Sequence, residues 1–563
     1  MTRLFLVFQA LRRSLSGMGL LLGTLFFAAA LTPSLAPRSV VMQGVLCGVA
    51  FSCGYGLGYL LRRLWCYLEL PEPGAVLRRR TLLFIGLLCM AAAIAALVLS
   101  VGWQNSIHAV MRMEPLDSAY PVRVSALALL SFLVFLLLTR GALWLGGRIV
   151  AGVRRYLPRK VGTVLGIGVT AALLWTLVNG VLVQAVFTLA DRSFQEYDAL
   201  IEPERPQPLQ PGKTGAPGSL LAWKDLGRAG REFIASAPGA EAIQALTGRD
   251  ALEPVRVYAG LNVGQSVQDR AKRALAELIR QGGFQREVLV IITPTGTGWV
   301  DPAAMDGLEY LHDGNVASVA MQYSYLNSPL SLLFQADMGA ASARALFIEV
   351  YGYWKQLPRQ ERPRLYLHGL SLGAMNSEKS LLLFEMLEDP IHGALWSGPP
   401  FMSADWRQIT QDRNDGSPAW LPVFGDGAYV RFLNQDGAAP AAYADWGPLR
   451  IVYLQYASDA VVFFEQRALY RQPEWLDAPR GPDVSPQFRW YPVVTFLQLA
   501  LDMSLSMGAP LGYGHVYAPE DYIDAWLEVA PGRAWSDDEV AVLKRHLRRQ
   551  MQEKGGQEDL RGG

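Results

Sequence analysis

The chain has 563 residues, of which 51% are hydrophobic and only 18% charged. That length exceeds one ordinary domain, and 51 Lys and Arg against 50 Asp and Glu give no polycationic surface of the kind nucleic acid needs. The apolar excess is concentrated in the first third and points to a membrane.

Apolar runs at about 16–36, 40–61, 81–102, 121–139 and 161–187 each approach the roughly 20 residues that carry a helix across about 30 Å of hydrocarbon. They predict a transmembrane helical domain over 1–189 with about five spans. The first run, preceded by Arg3, Arg12 and Arg13, has the layout of a signal peptide. The second run follows almost at once, so a retained helical hairpin is expected. Arg62, Arg63, Arg78, Arg79 and Arg80 lie between the second and third runs. Arg140, Arg148, Arg154, Arg155, Arg159 and Lys160 lie between the fourth and fifth, whereas the alternate loops carry only Arg38, Arg112 and Arg123. Basic residues collect on the cytoplasmic side, so the N-terminus is expected inside and residues from 190 onwards outside. Asn179 and Gln184 are the notable polar groups in the fifth run, and helix–helix hydrogen bonding accounts for them; the expected role is an anchor rather than a transport path. Cys47, Cys53, Cys66 and Cys89 have neither metal-site nor redox spacing and read as packing residues.

Residues 190–219 are rich in Pro and Gly and read as a tether. Beyond them apolar strands alternate with helices: strands at 255–258, 288–292, 316–323, 364–368, 393–396 and 451–456, helices at 265–281 and 337–356. This pattern predicts a mostly parallel sheet with helices on both faces over 220–535. Ser536-Asp-Asp-Glu539 is a capping box that opens a C-terminal helix, and 536–563 is that helix with a flexible tail.

The strand ending at His368 runs into Gly369-Leu-Ser371-Leu-Gly373, followed by a helical stretch. A serine between two such glycines, at a strand-to-helix turn, is the nucleophile elbow. The turn is sharp enough that the residues two before and two after the serine must be small. A serine nucleophile needs a histidine base and an acid that orients it, in the chain order Ser, acid, His. Asp459 follows the strand 451–456. Of the histidines beyond it, His515 lies in a glycine-flanked loop, whereas His546 belongs to a basic helical surface. The expected triad is therefore Ser371, Asp459 and His515. Asp426, Asp445 and Asp502 are fallback acids, and His312, His368 and His392 are expected to be structural. Thr293-Pro-Thr-Gly296-Thr297-Gly298-Trp299 follows a central strand, so oxyanion-hole N–H groups are assigned near Gly296 and Thr297, paired with Leu372. A phosphate cradle there lacks the Gly-Lys-Ser/Thr of a nucleotide loop. Between 400 and 451, and again over 461–510, dense aromatics predict cap insertions that form an apolar pocket, a lipid-facing surface or the core of a helical cap.

With these residues in place the chain resembles bacterial multipass membrane proteins that join an N-terminal transmembrane domain to a C-terminal α/β-hydrolase catalytic domain. The resemblance rests on Thr293–Trp299, Gln322-Tyr-Ser-Tyr325, Gly369-Leu-Ser-Leu-Gly-Ala374, Leu395-Trp-Ser-Gly-Pro-Pro400, Gly481-Pro-Asp-Val-Ser-Pro486 and Trp490-Tyr-Pro-Val-Val-Thr-Phe496. Relatives in that group often carry an acidic residue where this chain has Leu370. The resemblance implies a serine hydrolase at the bacterial cytoplasmic (inner) membrane. Three functions stay open on the sequence. One is an esterase or lipase acting on a lipid or lipid-linked ester at the extracytoplasmic face. Another is an acyltransferase to a lipid, sugar or wall-glycan hydroxyl through the same acyl-enzyme. The third is a non-enzymatic sensor or assembly factor that uses the hydrolase domain for binding. No metal or organic cofactor is implied, and the expected partners are the bilayer and the ester, not nucleic acid.

Overall fold

A computed structural model describes residues 16–71, 74–183, 193, 195–202, 205–326, 330–331, 336–381, 386 and 388–561. Arg3, Arg12, Arg13 and Gln184 lie outside the described residues. The chain divides into two compact units: residues 1–184 with 464–510, and residues 185–463 with 511–563.

The first unit is helical. Its elements are α1 (Gly17–Ala30), α2 (Val40–Tyr67), α3 (Ala75–Val110), α4 (Tyr120–Val153) and α5 (Arg159–Trp175). Among the described residues three helices, corresponding to α2, α3 and α4, are long and apolar enough to cross a membrane. The first and fifth of the five expected runs are not among these three, and the fifth, 161–187, ends outside the described residues. The first run folds as a helix of only 14 residues, started by the Ser16 side chain accepting from the Gly19 N–H and ended ahead of Pro33. The fifth run begins as the 17-residue α5 and passes into a π-helix over Thr176–Val183, which contains Asn179. Apolar side chains of α3 and α4, among them Phe84, Leu87, Leu137 and Leu138, remain exposed, as they would facing lipid. α1 and α2 cross where Gly54 and Gly58 stand one turn apart. A Cβ at either would lie 2.5 or 2.4 Å from a carbonyl oxygen of α1, so only glycine permits this approach.

Residues 464–510 were expected to cap the hydrolase, yet they belong to the helical unit. Their helix Val494–Leu505 is held by a buried polar cluster at the α1–α2 connection. Asp502 Oδ1 accepts from Arg38 Nε at 2.8 Å, both side chains being fully buried, and its Oδ2 accepts from the Leu35 N–H at 3.1 Å. Arg38 also donates to Gln43 at 3.1 Å and to Ser34, while Gln498 and Gln104 donate to the carbonyls of Thr32 and Leu31, each at 3.0 Å. Proline removes backbone donors from this connection, and the side chains supply the missing partners. Asp502, a fallback acid on the sequence, is thus committed to Arg38.

The second unit is built on an eight-stranded sheet in the order β1-β3-β2-β4-β5-β8-β6-β7. The strands are β1 (Val255–Ala259), β2 (Val288–Thr293), β3 (Val316–Met321), β4 (Arg364–Leu370), β5 (Gly393–Ser397), β6 (Val430–Asn434), β7 (Gly437–Ala438) and β8 (Arg450–Leu454). All pairings are parallel except the β6–β7 hairpin. The helices that matter below are α6 (Val267–Arg280), α7 (Pro302–Leu311), α8 (Ala336–Gln356), α9 (Leu372–Ser380), α10 (Pro519–Val529) and α11 (Asp537–Arg561). β1, β2 and β3 are buried at every position; β2 accordingly reads as an apolar run over 288–292, whereas β1 buries Arg256 by pairing it with Asp306 and Glu309.

Two further expectations change. Part of the 400–451 segment forms β6 and pairs in parallel with β8, extending the sheet instead of capping it. The end of the stretch read as a tether is packed: the Thr214 hydroxyl donates to the Arg256 carbonyl of β1 at 2.8 Å, and Lys213 pairs with Glu253 at 2.7 Å. Its prolines and glycines spell turns that wrap the sheet edge. The capping box of α11 forms as expected, with the Ser536 N–H donating to Glu539 at 2.8 Å and the Glu539 N–H donating back to Ser536 at 3.3 Å.

Candidate active site

β4 delivers Ser371 at the carboxyl end of the sheet, and α9 starts at the next residue. Ser371 has φ 58° and ψ −126°, a conformation that L-residues avoid. Two contacts impose it. The Ser371 N–H donates to the Ser397 carbonyl at the end of β5 at 2.9 Å. Gly373 lies so close to the chain leaving β2 that a Cβ there would stand 2.2 Å from the Thr293 carbonyl oxygen. The small residue required after the serine is therefore a consequence of β2 and β4 being neighbours, with Thr293 opposite Gly369.

Asp459 and His515 come together on loops beyond β8. His515 Nδ1 lies 2.6 Å from Asp459 Oδ2, and the two side chains are 4% and 0% exposed. The carboxylate is further fixed by the Tyr517 hydroxyl, which donates to the same Oδ2 at 2.7 Å, and by the Val461 N–H, which donates to Oδ1 at 2.8 Å. With Nδ1 donating to the carboxylate, the lone pair of the imidazole is on Nε2. That atom is buried and has no hydrogen-bond partner among the described residues, so the bond from the Ser371 hydroxyl to Nε2 is not formed here. Ser371 and His515 nevertheless flank one short segment. Ser397 receives the Ser371 N–H, and Gly398, at φ 52°, lies so near the imidazole that a Cβ would stand 2.6 Å from Cε1.

The β2–α7 loop carries Gly296 and Thr297. Its shape is set by the Gly298 N–H donating to the Thr295 carbonyl and by the Tyr258 hydroxyl donating to the Gly298 carbonyl at 2.7 Å. The N–H groups of Gly296 and Thr297 donate to no acceptor among the described residues, and Leu372 is the first residue of α9, whose N–H has no intrahelical partner. The remaining histidines of the second unit are used elsewhere: His368 bonds the Leu395 carbonyl at 2.9 Å, His312 the Ala530 carbonyl at 3.0 Å, His392 accepts from the Leu365 N–H at 3.1 Å, and His546 lies 3.3 Å from the Tyr310 hydroxyl. Burial lowers the His368 imidazole to about 4. Among the described residues no group of three or more His, Cys, Asp or Glu side chains gathers to hold a metal.

Residues 255–543 match the alpha/beta-hydrolase family, and residues 31–238 match that family's N-terminal region. The chain belongs to the alpha/beta-hydrolase family. No curated protein and no solved structure matched it. Three residues around the imidazole escaped the sequence reading. Tyr517 stands two residues after His515, just past the turn closed by the Val516 N–H donating to the Tyr513 carbonyl, and both side chains reach the same carboxylate. Asp301 caps α7 through the Ala303 N–H at 3.0 Å and accepts from the Tyr522 hydroxyl at 3.1 Å. Burial pushes the Asp301 carboxyl up to about 7. Burial, and then the neighbouring carboxylates, raise the phenols of Tyr517 and Tyr522 well above their ordinary value. The Asp301-Pro302 cap is a helix-start signal that locates Asp301 without indicating that it faces a base.

Proposed function

We propose that this hydrolase is a membrane-anchored serine enzyme that cleaves acyl esters of lipid or lipid-linked substrates. The observation that carries the reading is the buried Asp459–His515 pair with an unpartnered Nε2, beside a serine held in a strained turn. Ser371 Oγ attacks the acyl carbonyl while Nε2 takes its proton. Asp459 keeps the imidazole in the tautomer this requires and stabilises the imidazolium. The N–H groups of Gly296, Thr297 and Leu372 stabilise the oxyanion, and His515 returns the proton to the leaving alkoxide. Water then takes the acyl group from Ser371 with His515 again as base. In this reading the Oγ–Nε2 bond forms when substrate binds, since such bonds are commonly open before substrate arrives.

The apolar α2, α3 and α4 support the membrane anchor. The clusters Arg78–Arg80 and Arg154-Arg155 support an orientation with those loops in the cytoplasm, and a further crossing by the fifth run, α5 with the π-helix after it, then carries the hydrolase unit to the extracytoplasmic face. The test is labelling of the detergent-purified full chain with a fluorophosphonate. Wild type is expected to label, and Ser371→Ala and His515→Ala to lose at least about 100-fold in rate. A folded wild type that does not react, or a Ser371→Ala protein that still does, would overturn the assignment.

A further inference from the structure

Arg270 lies on the first turn of α6 and is 8% exposed. Its guanidinium makes no hydrogen bond and no ion pair among the described residues, and its Nε is fully covered. Other buried arginines are engaged: Arg38 with Asp502, Arg256 with Asp306 and Glu309, and Arg231 through Nη2 alone with the carbonyls of Asp198 and Leu200, its Nε and Nη1 having no hydrogen-bond partner among the described residues. The nearest acid in sequence, Asp269, does not serve Arg270; its carboxylate accepts from the Gln265 N–H and from Arg273, both at 3.2 Å. A buried cation without a counter-charge is costly to keep and marks a place where an anion completes the structure.

Its position connects it to the site described above. α6 follows β1, so its first turn stands at the carboxyl end of the sheet, where α/β folds bind ligands. The loop after β1 is tied to the loop after β2 through Gln322: the Leu261 N–H donates to Gln322 Oε1 at 3.2 Å, and Gln322 Nε2 donates to the Thr297 carbonyl at 3.3 Å. Tyr325 donates to Asn262 at 3.2 Å on the same shelf. β1, β3, β2 and β4 are successive neighbours, so β1 lies roughly 14 Å from the strand that presents Ser371, at about 4.8 Å per step.

We infer that Arg270 binds an anionic group, phosphate or carboxylate, carried by the ester at some distance from the acyl carbonyl that Ser371 attacks. This rests on the Ser371 reading and deepens it: the substrate class becomes acyl esters with an anionic head. The planar guanidinium fork suits a two-oxygen contact with such a group.

The test uses the full chain in detergent and two nitrophenyl esters of equal length, the neutral decanoate and the monoester of sebacic acid, whose far end is a carboxylate. Wild type is expected to favour the sebacate. In Arg270→Met the ratio of the two kcat/KM values is expected to fall roughly 10- to 100-fold, with Arg270→Lys in between. Arg270→Met is also expected to melt no lower than wild type, because it removes an unpaired buried charge. An unchanged ratio, or a melting point several degrees lower in Arg270→Met, would overturn the inference. A binding arm on the Ser371→Ala background is independent of turnover. Inorganic phosphate, or micelles of an anionic phospholipid compared with a zwitterionic one, should raise the melting point of the Ser371→Ala protein. The same additions should leave the melting point unchanged when Arg270→Met is combined with Ser371→Ala. A response to phosphate identifies a free oxyanion, a response to anionic micelles alone identifies a head group, and no response to either overturns the inference. If wild type cleaves neither ester, the Ser371 reading fails separately and this arm still decides on Arg270.

Discussion

Replacing Gly398 by alanine tests the proposed acid–base pair through a residue that carries no functional group. The added Cβ would lie 2.6 Å from His515 Cε1, 2.9 Å from Nδ1 and 3.0 Å from Tyr517 Cε2. Reaching an ordinary contact of about 3.4 Å requires the imidazole to retreat by about 0.8 Å, which stretches a bond to Asp459 that is now 2.6 Å long. Gly398 also sits at φ 52°, where an L-residue costs about 1–2 kcal/mol. Crowding adds about 1–3 kcal/mol if the ring cannot yield. A misplacement near 1 Å is worth roughly 100-fold in rate. The expected result is a fluorophosphonate labelling rate lower by about that factor, in a protein that remains folded with a melting point reduced by several degrees. The assay is the second-order labelling rate beside thermal denaturation of the same sample. A Gly398→Ala protein that labels at the wild-type rate would refute the placement of His515 as the base of Ser371.

Three other expectations follow from single observations. Because Ser371 is held at φ 58°, Ser371→Gly should be more stable than Ser371→Ala by about 1 kcal/mol, and equal stabilities in thermal denaturation would show that the turn is not strained. Burial pushes the Glu378 carboxyl up to about 8, so between about pH 4.5 and 8 the folded state holds a proton that the unfolded chain has released, and stability falls as pH rises through that window. Glu378→Gln keeps an acceptor for the Tyr453 hydroxyl at 3.0 Å and should flatten the decline in melting temperature over that range; an identical slope would count against it. In the helical unit, Arg38→Met leaves Asp502 buried and unpaired and should cost about 3–5 kcal/mol, with Asp502→Asn in the double variant recovering more than half. Denaturation of the full chain in detergent reads this, and additive losses would show that the two residues do not interact.

What the sequence determined by itself was local. β2 is buried on both faces, so its hydrophobicity over 288–292 is continuous and readable, and the sharp turn at Ser371 demands small neighbours that appear in the sequence as glycines. The sequence paired Asp459 with His515 by their order after Ser371, and these two do meet in space. Only the tertiary structure decided the rest. β6 has five residues, among them Arg431 and Asn434, and its identity as a strand comes from pairing with β8 rather than from any period of its own. The segment 464–510 leaves the chain between Asp459 and His515 and was assigned to the hydrolase by proximity in sequence. Asp502 instead joins Arg38, 464 residues away, because a fully buried carboxylate must find its counter-charge wherever the fold provides one. Apolar length likewise left the first run ambiguous, and Ser16 and the prolines after Thr32 cut its helix to 14 residues. Hydrophobic period is written over a handful of neighbouring residues, whereas the pairing of buried polar groups depends on positions far apart in the chain that the sequence does not align.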